Sequence, residues 1–422
     1  TLFRSVSPIP SDLVLDSETL IYFTDLPTFE KIYKKYNPNV FVIGGSKVYD
    51  LFMPRADKLY ITHIVNSDNT RAIKFSDKDT PDTFIDLEKF TNFDLIGYSE
   101  KYFSEYNGGS ISYRVLYYTS RKTKSPEYQY LDLLSKILES GTTKSDRTGT
   151  GTKSIFGSQI RFDISKSIPL LTTKKVPFGI IIEELLWFCR GDTDTKILDK
   201  KGIKIWNGNS TREFLDNRGL EHYPEGVIGP QYGFLWRHFG APYDTEFANT
   251  STFDTKKIGG FDQLKYVEDL LERDPFSRRI IMTAWNPAQL NEQALPPCHM
   301  HIQFCVTEEF GVKHLSCMFM MRSSDNFLAC CWNTVFYTIL TYILAAKHNM
   351  KPKEIIYVAG DTHIYLNHIN QVKKQLSRTP RPFPALRVSP SIKTKDWSEM
   401  TTSDFELIGY FPDRPIVAPM AI

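Results

Sequence analysis

Apolar positions follow one rhythm before residue 120 and another after residue 127. In the first stretch, Val40–Ile43 is a short β-branched run that predicts a strand. Gly44-Gly45-Ser46 follows, and Lys47–Met53 takes up helical spacing; Leu59–Ile64 predicts a second strand. In the second stretch, Tyr128–Ser140 has helical periodicity, and the turn Asp146–Thr152 leads into a predicted strand at Lys153–Phe162. Ile180–Cys189 is strongly apolar around Glu183-Glu184. Tyr266–Arg273 predicts a helix, and Ile280–Trp285, Gln303–Thr307 and Leu315–Met321 predict strands. Val335–Ala346 predicts a central buried helix, because Tyr342 interrupts its apolar run and Lys347-His348 ends it before it could span a bilayer. Ala241–Gly260 is polar and poor in structure signals, as in a surface insertion. Helices and strands mix without strict alternation, which places the second stretch in the α+β class.

Between the two lies Ser-Arg-Lys-Thr-Lys-Ser-Pro-Glu, polar, charged and interrupted by proline, as a linker is. The predicted organisation is a domain over 1–119, a linker over 120–127 and a second domain over 128–422. The 422 residues are 41% hydrophobic and 14% aromatic, enough for sizeable cores. With 51 basic and 49 acidic residues the net charge is +2, which argues against general binding to nucleic acid or a membrane surface. Six irregularly spaced cysteines predict a reducing compartment rather than a disulfide scaffold. With no targeting segment recognised, the cytoplasm is the expected location.

Candidate chemistry centres on Pro296-Pro297-Cys298-His299. Two prolines stiffen the backbone before one thiol. A thiol attacks as its thiolate, and Arg278, Arg279 and Arg322 offer charge that would lower its pKa. A nucleophile among arginines suits an anionic substrate such as a phosphate ester; the alternative is a buried, inert cysteine. Arg147, beside Gly149 and Gly151, is either a phosphate ligand on a loop or a solvated side chain. Arg278-Arg279 are phosphate ligands or surface charge. Glu183 and Glu184 lie about 100° apart on a helix, so one can be drawn inward while the other meets solvent; a carboxylate in an apolar wall gains a raised pKa and can move protons. Cys298, His299 and His301 lack the second cysteine pair of a zinc site, so no metal is expected. A Cys298–His363 thiol pair is conceivable.

Together these pieces resemble one family. Asp-Arg-Thr-Gly-Thr-Gly-Thr (146–152), Glu-Leu-Leu-Trp-Phe (184–188), Gly-Pro-Gln-Tyr-Gly (229–233), Ser-Arg-Arg-Ile-Ile (277–281), Pro-Pro-Cys-His (296–299), Arg-Ser-Ser-Asp (322–325), Gly-Asp-Thr-His-Ile-Tyr (360–365) and the terminal Met-Ala-Ile resemble thymidylate synthase, in order. Residues 38–64 resemble the C-terminal half of dihydrofolate reductase; reductase ahead of synthase is the protist-type bifunctional arrangement. The early part of a reductase, with its catalytic carboxylate, has no match, so folate reduction by this chain alone is not expected.

The resemblance implies a mixed-sheet synthase fold that dimerises, preceded by a partial α/β reductase-like domain. It implies dUMP and 5,10-methylenetetrahydrofolate as substrates, and NADPH for a complete reductase. It gives Cys298 the attack on the uracil ring, Asn333 the ring's amide edge, and Glu184 the proton transfers, aided by Tyr232 and His299. Arg147, Arg322 and Ser323 would hold the phosphate, with Arg278 and Arg279 reaching across from the second subunit of a homodimer. His363 and Tyr365 would bind the deoxyribose. Asp325 would border nucleotide and folate, Trp206 and Leu328 would line the folate site, and Ile422 would close it. Gly44, Gly45, Ser46 and Tyr49 resemble the pyrophosphate turn of the reductase, and Thr62 its pterin-side threonine. No membrane or nucleic acid is implied.

The chain also departs from the family. Met320-Met321 stand where Tyr-Gln is usual, Cys305 where Tyr is, and Ala329-Cys330-Cys331-Trp332-Asn333 where the family has Gly-x-Pro-Phe-Asn. Met321 lacks the hydrogen bonds of Gln, Ala329 would be strained at a positive φ, and Trp332 is bulkier than Phe. Alternatives left open are a pyrimidine nucleotide hydroxymethylase and a catalytically impaired nucleotide- or RNA-binding homologue.

Overall fold

A computed structural model describes residues 2–5, 20–23, 41–42, 52–66, 87–106, 109–245 and 259–420. The chain divides into two compact units, Thr1–Thr123 and Lys124–Ile422. The break falls within 120–127, beside the exposed residues 122–124, whereas Ser125 and Glu127 are already buried in the second unit.

The first unit holds two sheets. β1 (Leu2–Ser5) lies between β2 (Leu20–Phe23) and β3 (Phe41–Val42), all parallel. β4 (Lys58–Asn66), β5 (Phe93–Tyr98) and β6 (Tyr102–Tyr106) each pair antiparallel with β7 (Gly109–Ser120). Along β7, Ser112, Arg114, Leu116 and Tyr118 are buried in strict alternation, the period-two pattern of a half-buried strand. β4 extends the predicted strand at both ends, and Thr62 is exposed opposite Val115. Gly44, Gly45, Ser46 and Tyr49 lie outside the described residues.

The second unit is built on a six-stranded sheet in the order β10-β11-β12-β13-β9-β8. These are β8 (Thr142–Lys144), β9 (Thr152–Asp163), β10 (Ile281–Thr283), β11 (His299–Glu309), β12 (Val312–Asp325) and β13 (Lys351–Tyr365). A small pair, β14 (Ala385–Val388) with β15 (Phe405–Ile408), stands apart. β11 and β12 form a hairpin turned at Phe310-Gly311, both at positive φ. β12 and β13 are parallel, so a crossover must join them, and the helix Ala329–Lys347 supplies it. Fourteen of its nineteen residues are buried, and this is the one helix among the described residues long and apolar enough to cross a membrane. Its all-round apolarity is that of a core helix.

One face of the sheet packs Ile160, Tyr357, Phe319 and Ile302 in register against that helix and the helix Phe178–Cys189. On the opposite face Gln159, Val358, Met320 and His301 stand in register, and Phe156 and Met320 are exposed.

The helix Tyr128–Ser140 has the predicted bounds, whereas β11 and β12 run further than their apolar cores. Many of the extra residues, among them His299 and His301 at one end and Arg322-Ser323-Ser324-Asp325 at the other, are polar, so periodicity alone ends the strands early. The central helix likewise starts six residues before Val335. Ala329 is its first residue and is absent from the positive-φ residues, so the expected strain does not arise. Of the predicted insertion 241–260, residues 246–258 lie outside the described set.

Candidate active site

Cys298 sits just before β11, half-buried and packed against the core. Its position is fixed through its neighbours' backbone. The Cys298 N–H donates to the Tyr232 hydroxyl at 2.7 Å, and its carbonyl accepts from the Arg322 N–H at 2.9 Å. The Arg322 guanidinium reaches back to the carbonyls of Pro297 (2.7 Å) and Pro296 (2.8 Å) and stands over the Trp285 ring. The two prolines have no N–H to compete for these carbonyls. Arginine's planar fork suits such a two-point grip.

Tyr232 owes its place to two glycines. Gly229 has φ +78°, and a Cβ there would fall 2.1 Å from the Glu292 carbonyl. At Gly233 a Cβ would come within 2.7 Å of the Asp192 carbonyl. The short helix Tyr232–His238 therefore packs closely, and Tyr232 stacks on Phe188 and meets His299 at a tilt.

The electrostatics differ from the sequence expectation at the thiol. Burial pushes the Cys298 thiol above its ordinary value, while Arg322 and Arg147 pull it down without winning. In this state desolvation outweighs the arginines. Arg147 is exposed on the loop of Asp146–Gly151. Asp146 shapes that loop: it accepts from Thr148 and from the Gly151 N–H. These bonds overcome its partial burial and hold its carboxyl below the usual range.

Glu184 is the inward carboxylate of its pair. Glu183 meets Lys201 at 2.6 Å near the surface, whereas Glu184 is buried and accepts from two indoles, Trp206 at 2.9 Å and Trp332 at 2.6 Å. Burial pushes its carboxyl up to about 7, against the pull of Trp332 and Trp206. His299 is also buried, bonded through Nδ1 to the Tyr337 hydroxyl at 2.7 Å. Burial lowers its pKa to about 3 despite a hydrogen bond with Asn333, so it is a neutral imidazole near pH 7. In that form it carries no charge to donate as a cation. Asn333 is buried, with Nδ2 at 3.8 Å from the Met321 sulfur.

At the ends of β12 and β13, Ser323 pairs with Asp361 and Asp325 with His363 in the parallel register. His363 bonds Asp361 at 2.8 Å and lies edge-on to Tyr365. Burial, with Asp325 and Asp146 nearby, pushes the Tyr365 phenol up to about 12, while Arg147 opposes. One Asp325 oxygen caps the backbone N–H groups of Phe327 and Leu328, and the other lies 3.9 Å from His368 Nδ1. Trp206, Leu328 and Trp332 are partly buried beside the core.

Two predicted groups stand apart. Arg278 and Arg279 are exposed on the loop before β10, and the arginines that act on Cys298 are Arg322 and Arg147 instead. Ile422 lies outside the described residues; the tail before it is held where the Pro419 carbonyl accepts from His368 Nε2 at 2.7 Å. Among the described residues no cluster of histidine, cysteine and carboxylate could hold a metal ion. Sequence reasoning passed over Tyr337 and the Trp332 indole N–H. The helical offset of four between Asn333 and Tyr337 was the available signal for the first.

Comparison with known proteins places the chain beside two families. The family model for thymidylate synthase covers residues 128–422, and that for dihydrofolate reductase covers 12–90, wider than the stretch whose motifs carry the resemblance. A bifunctional dihydrofolate reductase-thymidylate synthase of Paramecium tetraurelia is 39% identical over 433 aligned residues, covering 98% of this chain and 87% of that protein. A thymidylate synthase of Human herpesvirus 8 is 46% identical, covering 72% and 87% respectively. A bifunctional dihydrofolate reductase-thymidylate synthase of Zea mays is 48% identical over 70% of this chain, and the match spans 54% of its own length.

Proposed function

Because the chain belongs to the thymidylate synthase family, in its bifunctional form with dihydrofolate reductase, we propose that it methylates dUMP reductively to dTMP, using 5,10-methylenetetrahydrofolate. The observation that carries this reading is that five separate stretches meet around Cys298: Tyr232 and Arg322 bond its backbone, Asn333 bonds the adjacent His299, and Glu184 is joined through Trp206, which packs on Tyr232.

The chemistry assigned to each residue follows from its setting. The dUMP phosphate binds Arg147 and Ser323 together with the N–H groups of Arg322 not spent on Pro296 and Pro297. Cys298 loses its proton and its sulfur bonds to ring carbon C6. Electron density moves to C5 and the ring carbonyl, where fixed donors stabilise it. Asn333 offers both a donor and an acceptor, matching the amide edge of uracil. Glu184, with a pKa near the working pH, takes and returns protons with little free-energy cost in either direction. His363 and Tyr365 hold the sugar hydroxyl.

The residues around Trp206, Leu328 and Trp332 fit a reduced folate: a half-buried, largely aromatic wall with one carboxylate, Asp325, whose second oxygen has only His368 at 3.9 Å and can accept from ring N–H groups. The folate supplies the one-carbon unit and the hydride, so it leaves as dihydrofolate. Where the reductase domain is complete, Gly44, Gly45, Ser46 and Tyr49 would hold NADPH, with Thr62 on the pterin side, and the dihydrofolate released by the synthase would be its substrate. The cytoplasm suits both.

The active form is a homodimer joined through the open sheet face that carries Phe156, Met320 and Val358. Arg278 and Arg279 are exposed and are not among the groups that act on their own Cys298, which supports their use in the partner's site.

Release of tritium from dUMP labelled at C5, with methylenetetrahydrofolate present, tests the function. Cys298→Ala should abolish release while leaving dUMP binding measurable. Release by that variant at the wild-type rate would remove Cys298 as the nucleophile. No release by the wild-type protein, with dUMP bound, would overturn the synthase reading and favour a binding role.

A further inference from the structure

The Glu184 carboxylate is gripped at both oxygens by indole N–H groups, and one of them belongs to a residue the family usually replaces by phenylalanine. Trp206 Nε1 donates to Oε1 at 2.9 Å and Trp332 Nε1 to Oε2 at 2.6 Å. Phenylalanine has no donor, so the second bond is specific to chains with tryptophan here. We propose that Trp332 is a positioning residue for Glu184, pinning its second oxygen so that the carboxylate is held in one orientation and biased toward its ionised form. The inference rests on the synthase reading, since it concerns how that site's proton-transfer group is set.

The physical case has three parts. An indole N–H can only donate, so each carboxylate oxygen must accept, and a proton on either one would compete with a donor already present. Hydrogen bonds to an ionised group are short and strong, and the Trp332 bond is the shorter of the two. No cation among the described residues is a cause of the Glu184 shift. Among the described residues, the groups facing Glu184 are Trp206 and, from the helix Ala329–Lys347, Trp332 and Tyr337; the phenol of Tyr337 feels its charge and is bonded to neutral His299. Lys201, which pairs with the neighbouring glutamate, is taken by Glu183. Burial drives Glu184 toward the neutral acid and the two indoles drive it back, which leaves it titrating at about 7. Trp332 is therefore not merely a larger ring beside the folate; its N–H sets how much of Glu184 is charged at working pH.

Two measurements test this. In protein labelled with ¹⁵N at its six tryptophans, two indole N–H resonances should move together with pH, with one midpoint, and both should stop moving in Glu184→Gln. Fewer than two such resonances would overturn the proposal, and this readout needs no turnover. In Trp332→Phe, the limb of the turnover–pH profile that belongs to Glu184 should move up by about one pH unit, with KM for dUMP within about twofold of wild type. Trp397→Phe serves as control, because it removes an indole bond to a remote carboxylate, Glu268, and should leave the limb in place. A limb that stays put in folded Trp332→Phe, or a change confined to KM for the folate, would reduce Trp332 to a packing role. If instead the wild type shows paired indole titration but no tritium release, the clamp stands and the synthase reading falls.

Discussion

At the residue scale, what distinguishes this site is that burial governs charge. Cys298, Glu184 and His299 all shift toward their neutral forms because each is taken out of water. The arginines near Cys298 then act against a standing penalty, and a bound dianion that orders them would change the balance again. His299 gives a clean pH test. Its folded pKa, about 3, lies below the ordinary histidine value of about 6.5. The unfolded chain therefore takes up a proton below 6.5 that the folded protein refuses until near 3. Stability contributed by this residue is complete above 6.5 and is lost as pH falls through that window. Denaturant unfolding at a series of pH values should show a shallower loss of stability between pH 6.5 and 4 in His299→Gln than in the wild type; parallel curves would show that His299 is not held neutral by burial.

Among the elements, strands and helices deliver site residues from their ends. β11 begins at His299, β12 ends at Asp325, β13 ends at Tyr365, and the central helix opens with Cys330 to Asn333. Ends are where backbone groups and side chains are free of the ladder, and a rigid sheet holds them in place. The turn before the helix Tyr232–His238 shows how tightly this is drawn. Gly229→Ala would need a side chain at φ +78° and 2.1 Å from a carbonyl oxygen. It should destabilise the unit by well over 1 kcal/mol, of the order of 2–4 kcal/mol, and should lower turnover by moving Tyr232 away from the Cys298 N–H. A thermal melt together with the turnover assay checks both, and an unshifted melting temperature would contradict the close approach. The elements legible in the sequence were those with an uninterrupted apolar period, such as Tyr128–Ser140. The polar ends of β11, β12 and the central helix were not, because the site has replaced the apolar pattern there with its own chemistry.

For the whole molecule, the open face of the six-stranded sheet and the exposed Arg278-Arg279 loop point the same way. A sheet that packs one face on its own core and leaves Phe156 and Met320 exposed on the other suits a second copy of the chain. If phosphate ligation crosses that interface, mixing Arg279→Ala subunits with Cys298→Ala subunits should restore up to one working site per dimer. Each mixed dimer then has one site with both an intact thiol and an intact arginine. Verified heterodimers with no recovered tritium release would place the phosphate ligands within one chain. Met320→Lys should weaken the dimer, read as a shift to monomer in sedimentation, because a charge would be buried without a partner.

The sequence by itself determined which side chains are present and their local spacing: a thiol behind two prolines, adjacent glutamates on one helix, arginines beside small polar residues. It also determined the alternation that makes the sheet and the all-round apolarity that buries the central helix. Only the tertiary structure decided what those side chains are chemically. Glu184 and Trp332 are 148 residues apart, and Tyr232 and Cys298 are 66 apart. A proton affinity depends on desolvation and on donors brought close through space, neither of which is a property of neighbours along the chain.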